Sequence, residues 1–249
     1  MASFGETLLF SAIMGLSIFA SLPVVLKMRT TNLANRILLA AAIGILVFLV
    51  GDVWGDAATI MFNGSLYGYG SSPYYDAIFT AAISVGFLGL YYAEHRRRAA
   101  LEPSQTSVMI ALGIGFQNLT EGLVFGALAV SIGLSGAALV VLVGFILQNV
   151  TEGFPIASPF LGRTDSRVWE MAGLFLLGGA PTIVGGALGF YYNSYSFIVL
   201  FDGLAIGAIL YAILPMFKSM FRDSDHAAQR LTYVGIFFGF LLGFLVNLV

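Results

Sequence analysis

TSVMIALGIGFQNLTEGLVFGALAV, residues Thr106 to Val130, is apolar along most of its length yet carries Gln117, Asn118, Thr120 and Glu121 at its middle. A hydrocarbon core of about 30 Å takes about 20 helical residues to cross, so the run reads as a membrane-spanning helix. Seven further runs have the same character: Thr7 to Leu26, Ile37 to Ile60, Tyr75 to Tyr92, Ala137 to Phe160, Trp169 to Tyr191, Tyr195 to Phe217 and Leu231 to Val249. They leave little sequence between them. The predicted fold class is an all-α integral membrane protein of eight transmembrane helices in one domain, residues 1–249.

Composition agrees. Hydrophobic residues make up 59% of the chain and charged ones 10%, against about 25% charged in an average soluble domain. A transmembrane barrel would alternate polar and apolar residues over segments of about ten, and these runs do not. The 30 glycines suit helices that pack closely in lipid. Cysteine is absent, which removes disulfides, thiolate metal sites and cysteine nucleophiles. MASFGE lacks the basic start of a cleavable signal, so the first run is expected to remain as helix one.

All 11 Lys and Arg residues fall in alternate connections: Lys27, Arg29 and Arg36; Arg96 to Arg98; Arg163 and Arg167; Lys218, Arg222 and Arg230. The positive-inside rule then places those connections in the cytoplasm and both termini outside, in a multi-pass protein of the cell membrane. Most acids near the basic loops read as solvated charge. Glu6, Asp52, Asp56, Asp76 and Asp202 instead lie towards the opposite, base-free ends of their helices. Asp52 and Asp56 are one turn apart on one helix face. A mouth lined with one sign of charge concentrates cations, so Glu6, Asp52, Asp56 and Asp202 are the expected outer cation entrance.

The polar stretch of the fourth run nearly repeats in the fifth: FQNLTEGLVFGA from Phe116 is followed by LQNVTEGFPIAS from Leu147. In each, Gln and Glu are four residues apart and Asn and Glu three, which puts all three on one helix face. Both stretches fall near mid-membrane by helical rise, and the short SIGLSG link makes the two helices antiparallel neighbours. Opposed, they offer amide oxygens and two carboxylates, a donor set for a divalent cation. Gln117, Asn118, Glu121, Gln148, Asn149 and Glu152 are therefore the candidate metal ligands. Pro155 and Pro159 are expected to loosen helix five below its hexad, and Thr120 and Thr151 to bond the backbone. The rival use of the hexads is a clamp between helices, with each hydrogen bond worth about 1 kcal/mol.

At these residues the chain resembles the Zrt/Irt-like (ZIP) family of divalent metal transporters, in its short prokaryotic form. The resemblance implies eight helices with both ends outside, in a three-plus-two-plus-three arrangement whose last three helices are an inverted copy of the first three. AIGIL at Ala42 to Leu46 and AIGAIL at Ala205 to Leu210 echo such a repeat. It also implies a metal centre on helices four and five with Glu121 and Glu152 bridging. The chain departs from the family pattern at Gln117 and Gln148, where histidine is common, at Thr120 and Thr151, where proline is common, and at Ala180 before Pro181, where an acid is common. Amides and carboxylates suit Mn²⁺ or Fe²⁺ better than an imidazole-rich site does.

The expected function is transport of a transition metal of the Zn, Fe, Mn or Cd class towards the cytoplasm, with the metal as substrate and no organic cofactor. The alternatives are a passive cation channel, or a metal-binding relative or sensor that does not transport. An intramembrane enzyme is not expected, since the spans hold no His, Cys or catalytic lysine. The expected partners are the bilayer and metal ions, with no nucleic acid, and the resemblance adds a homodimer as an open alternative.

Overall fold

The computed structural model describes residues 2–27, 32–62, 72–96, 103–161, 168–192, 194–220 and 226–248. Ten α-helices follow in order: α1 (Phe4–Leu16), α2 (Leu22–Lys27), α3 (Asn32–Met61), α4 (Pro73–His95), α5 (Pro103–Ile132), α6 (Gly136–Ala157), α7 (Val168–Gly179), α8 (Pro181–Tyr191), α9 (Tyr195–Met220) and α10 (His226–Val246). No strand occurs among the described residues. They make eight stretches long and apolar enough to cross a membrane, matching the sequence expectation. The arrangement is that of a multi-pass membrane protein.

Two spans are interrupted where the sequence reading has single runs. A 3-10 turn, Ser17–Ser21, joins α1 to α2 within the first span, and α7 gives way to α8 at Pro181 in the sixth. Pro23 and Pro181 follow those breaks, and neither has an N–H to continue the α ladder. At the second break the Ile183 N–H reaches the Ala180 carbonyl at 3.0 Å, a tighter i→i+3 bond than the helix on either side. The fifth span tightens too, into a 3-10 turn at Ser158–Phe160. There the Ser158 hydroxyl donates to the Pro155 carbonyl at 2.8 Å.

Helices outrun the apolar stretches that announce them. α4 begins at Pro73 and ends at His95, and α5 runs from Pro103 to Ile132. Proline at the first helical position loses nothing, because that N–H has no intrahelical acceptor. The eighth span is shifted, helical from His226 to Val246 rather than from Leu231 to Val249. α1 starts on a reciprocal cap: the Glu6 N–H donates to the Ser3 hydroxyl at 3.2 Å while the Ser3 N–H donates to the Glu6 carboxylate at 2.7 Å.

Contacts at the two ends fix an alternating up-and-down order. At one end the Ala2 N–H meets the Ala129 carbonyl at 3.0 Å, Ser72 N–H meets the Met61 carbonyl at 3.1 Å, and Phe4 packs on Phe190. At the other end Arg36 donates to the Met220 carbonyl at 2.6 Å and to the Thr232 hydroxyl at 3.1 Å, and the Tyr211 hydroxyl donates to Glu94. The described bases Lys27, Arg36, Arg96, Lys218 and Arg230 belong to this second end. Arg29, Arg97, Arg98, Arg163, Arg167 and Arg222 lie outside the described residues.

α5 is the central helix, packed against α6, α7, α8 and α9; α3 packs on α9 and α10, and α4 on α9. Close crossings flank both hexads. A Cβ on Gly122 would run into the Thr182 carbonyl, and one on Gly153 into the Ser21 side chain and the Ile18 carbonyl. Glycine at these points lets α5 lie on α8 and α6 on the first span, and so sets where the polar faces meet. Phe237, Phe238 and Phe244 of α10 are exposed on the surface of the bundle, as side chains bathed in lipid would be.

Candidate functional site

The two hexads meet. Both lie mid-helix in α5 and α6, on the faces those helices turn toward each other, and the link at Gly133, which takes a positive φ of 67°, returns the chain antiparallel. Asn118 Nδ2 donates to Asn149 Oδ1 at 2.8 Å and to the Gly178 carbonyl of α7 at 3.0 Å. Asn149 Nδ2 donates to Glu121 Oε2 at 3.2 Å and to the Phe145 carbonyl at 3.0 Å. The other Glu121 oxygen accepts from Gln117 Nε2 at 3.0 Å, four residues back on the same helix.

Glu152 stands differently. It is 1% exposed, and neither of its oxygens has a well-formed hydrogen bond among the described residues, although the amide side chains of Asn118, Gln148 and Gln117 lie beside it. Gln117 Oε1 and Asn118 Oδ1 are likewise buried without a partner. Leaving a buried polar atom unpaired costs about 1–3 kcal/mol, more for a charged one.

Gln148 turns away from its counterpart in α5. Its Nε2 donates to Asp52 Oδ2 at 3.3 Å, and Asp52 Oδ1 accepts from Asn247 Nδ2 at 2.5 Å. Asp52 thus ties α3 to α6 and to the end of α10. Asn247 was missed in the sequence, although it is the lone polar side chain of GFLVNLV, where an amide in an otherwise apolar run is the signal.

Above the hexads lies a cavity of about 370 Å³. Asp52 and Asp56 line it from α3, Gln117, Thr120 and Glu121 from α5, Gln148 from α6, and Asp202 from α9. Among the described residues no Lys, Arg or His lines it. It lies towards the base-free end, where Thr59, Tyr195 and Asn247 contribute to its wall. Asp202 is 1% exposed and its Oδ2 has no partner among the described residues.

Glu6 is not brought here. Its exposed carboxylate is engaged by Ser3 at the start of α1, so its place is a helix cap away from the cavity wall. Asn118, Asn149 and Glu152 do not line the cavity either; they lie beyond its floor. Ile110, Ile114 and Ile156, one or two turns further along the same helices, are fully buried with Ile18 and Phe175. The Thr120 and Thr151 hydroxyls bond back to the Phe116 carbonyl at 3.3 Å and the Gln148 carbonyl at 2.7 Å, as their helix positions suggest.

Among the described residues no three His, Cys, Asp or Glu side chains gather closely enough to hold a metal by themselves. Any cation at the hexads would rely on amide oxygens beside the carboxylates, a hard, all-oxygen donor set. No protein-family model matches this chain, and no curated protein matches it either.

Proposed function

We propose that the chain is a divalent metal transporter, passing a transition metal of the Zn, Fe, Mn or Cd class towards the cytoplasm through the paired hexads of α5 and α6. One observation carries the reading. At mid-bundle, beneath an acidic cavity, the buried Glu152 carboxylate of one motif lies beside Asn118 and Gln117 of the other, and its oxygens, Gln117 Oε1 and Asn118 Oδ1 have no well-formed hydrogen bond among the described residues. Ionisable groups at such depth usually mark an ion path.

The sided distribution of Arg36, Arg96, Lys218 and Arg230 supports placing both termini outside in the cell membrane. Packing supports the inverted three-plus-two-plus-three order of the ZIP resemblance. The second span lies on the eighth and the seventh on the third, α3 on α10 and α9 on α4. An inverted copy would pair them this way. The AIGIL and AIGAIL echoes fall at matching crossings, since a Cβ on Gly44 would strike the Ile236 carbonyl and one on Gly207 the Ile83 carbonyl. Gly122 and Gly153 are matched in the same manner.

A carrier fits better than an open channel. The cavity stops above Glu152, and the fully buried Ile114 and Ile156 lie beyond it, so a path through requires the helices to move. The test is uptake into proteoliposomes of Mn²⁺, Fe²⁺, Zn²⁺ and Cd²⁺ by the wild type and by Glu121→Ala with Glu152→Ala. Saturable uptake lost in the double variant is expected. Uptake indifferent to both changes would reduce the hexads to a helix clamp, and single-channel currents would replace the carrier with a pore.

A further inference from the structure

α10 runs parallel along α3 and meets it turn by turn. A Cβ on Gly235 would strike Ala40, one on Gly239 the Ala41 carbonyl, and one on Gly243 the ring of Phe48. Four residues on, the same register sets Asn247 against Asp52. The Asn247 N–H still reaches the Gly243 carbonyl at 3.2 Å, and its side chain donates to Asp52 Oδ1. Gln148 of α6 donates to the second oxygen, Oδ2. Both oxygens of Asp52 are thus taken by amide N–H groups. Asp56, one turn further along α3, differs: it is exposed, lines the cavity and is approached by no hydrogen-bond donor among the described residues.

A glutamine amide has an oxygen that attracts a cation and an NH₂ of nearly the same shape that repels one. A carboxylate beside it removes the ambiguity, because only the NH₂ can donate to it. With Nε2 given to Asp52, the oxygen is what Gln148 has left to offer. Gln148 Oε1 has no donor among the described residues, and unlike the oxygens of Glu152 it is not sealed from the cavity that Gln148 lines. The same side chain lies beside Glu152, so its orientation decides whether an acceptor or a donor stands next to the inner carboxylate.

We infer that Asp52 is a positioning residue rather than an entrance acid: held by Asn247, it keeps the Gln148 amide turned with its oxygen towards the ion. The role rests on the transport reading in that it takes Gln148 as a ligand of the cargo. Its signature is a dependence on Gln148 that a charge at the mouth would not have.

Mn²⁺ is the probe. Its binding to the full chain in lipid nanodiscs is read by electron paramagnetic resonance, and its uptake in proteoliposomes by KM and maximal rate. Asn247→Leu removes the donor that holds Asp52 without changing any charge, at an exposed helix end. It should weaken Mn²⁺ binding about fivefold, within the range of one hydrogen bond, and raise KM with little change in maximal rate. Asp52→Asn can donate as well as accept, which frees Gln148 to turn over, and should weaken binding at least about tenfold. In a Gln148→Glu background the side chain has no repelling face to present. There neither change should weaken binding further, and Asp52→Asn, which removes a like charge, should leave it equal or tighter.

An entrance acid gives another pattern: no effect of Asn247→Leu, and the same loss on Asp52→Asn in both backgrounds, easing as salt is raised. That pattern overturns the positioning role and leaves the transport reading intact. Binding that depends on Asp52 only through Gln148, with uptake absent or indifferent to Glu152→Gln, overturns transport and leaves Asp52 positioning a ligand of a bound ion. No Mn²⁺ binding by the wild type overturns both.

Discussion

Asn118 donates to the side-chain oxygen of Asn149 at 2.8 Å, and through this bond the hexad of α5 is fastened to that of α6. Asn149 in turn donates to Glu121 at 3.2 Å. The amides therefore orient a carboxylate as well as join two helices.

Removing Asn149 breaks both functions at once. Asn149→Ala should lower stability in detergent by about 1–3 kcal/mol, because a buried Glu121 oxygen loses its donor. Its effect should not add to that of Glu121→Ala, since the two side chains share one hydrogen bond. Thermal unfolding of the wild type, both single variants and the double variant checks this, and strict additivity would mean that the contact carries no energy.

Glu152 separates transport from clamping. Glu152→Gln keeps the shape of the side chain beside Asn118, Gln148 and Gln117, and a neutral side chain of the same shape is cheaper to bury than a carboxylate. The variant should unfold at the same temperature as the wild type or higher, while metal uptake falls at least about tenfold, the effect of losing about 1.4 kcal/mol of ion binding. A clamp would give the reverse, lower stability with uptake retained.

Much of this was legible because membrane spans announce themselves by hydropathy. The six hexad residues could be placed together because helical spacing and a short link leave little freedom. What stayed hidden depends on relations between distant segments. The breaks before Pro23 and Pro181 are invisible to a hydropathy window, since Ile, Gly and Pro all pass through it as apolar or small. Gln148 was assigned to its own hexad, but its bond to Asp52 depends on how α3 lies against α6. Glu6 was grouped with the other acids of its end, whereas Ser3 three residues earlier gives it a cap to form, a pairing that S-x-x-E spacing could have disclosed.

The crossing glycines make a prediction that needs no metal. A Cβ at Gly122 would meet the Thr182 carbonyl, Gly186 N and Gly185 Cα, all backbone that cannot rotate aside. Gly122→Ala should therefore destabilise the protein by about 1–3 kcal/mol, as overpacking does, by pushing α8 off α5. At Gly144 of α6 nothing lies within 4 Å. Gly144→Ala should leave the protein unharmed or raise its stability by up to about 1 kcal/mol, the intrinsic helix gain of alanine over glycine. Thermal melts of the two variants in one detergent read the contrast, and equal melting temperatures would contradict the close approach.

Under the transport reading, ion preference turns on Gln117 and Gln148. Both are buried beside the carboxylates, at 4% and 6% exposure, and both offer only an amide oxygen where an imidazole nitrogen would favour Zn²⁺. Gln117→His with Gln148→His should raise Zn²⁺ uptake relative to Mn²⁺ by at least about tenfold, a shift of about 1.4 kcal/mol. The double variant should also become sensitive to pH between 5 and 8, with Zn²⁺ uptake falling on acidification, because protonated imidazole cannot bind metal and its unperturbed pKa lies near 6.5. The wild type has no histidine in the described part of the spans around the cavity and should lack that component. Uptake ratios for Zn²⁺ and Mn²⁺ measured at pH 5.5 and 7.5 in both proteins decide it. An unchanged ratio at pH 7.5 would show that these two positions do not touch the ion, and would shift the coordinating role to Glu121, Glu152 and Asn118 alone.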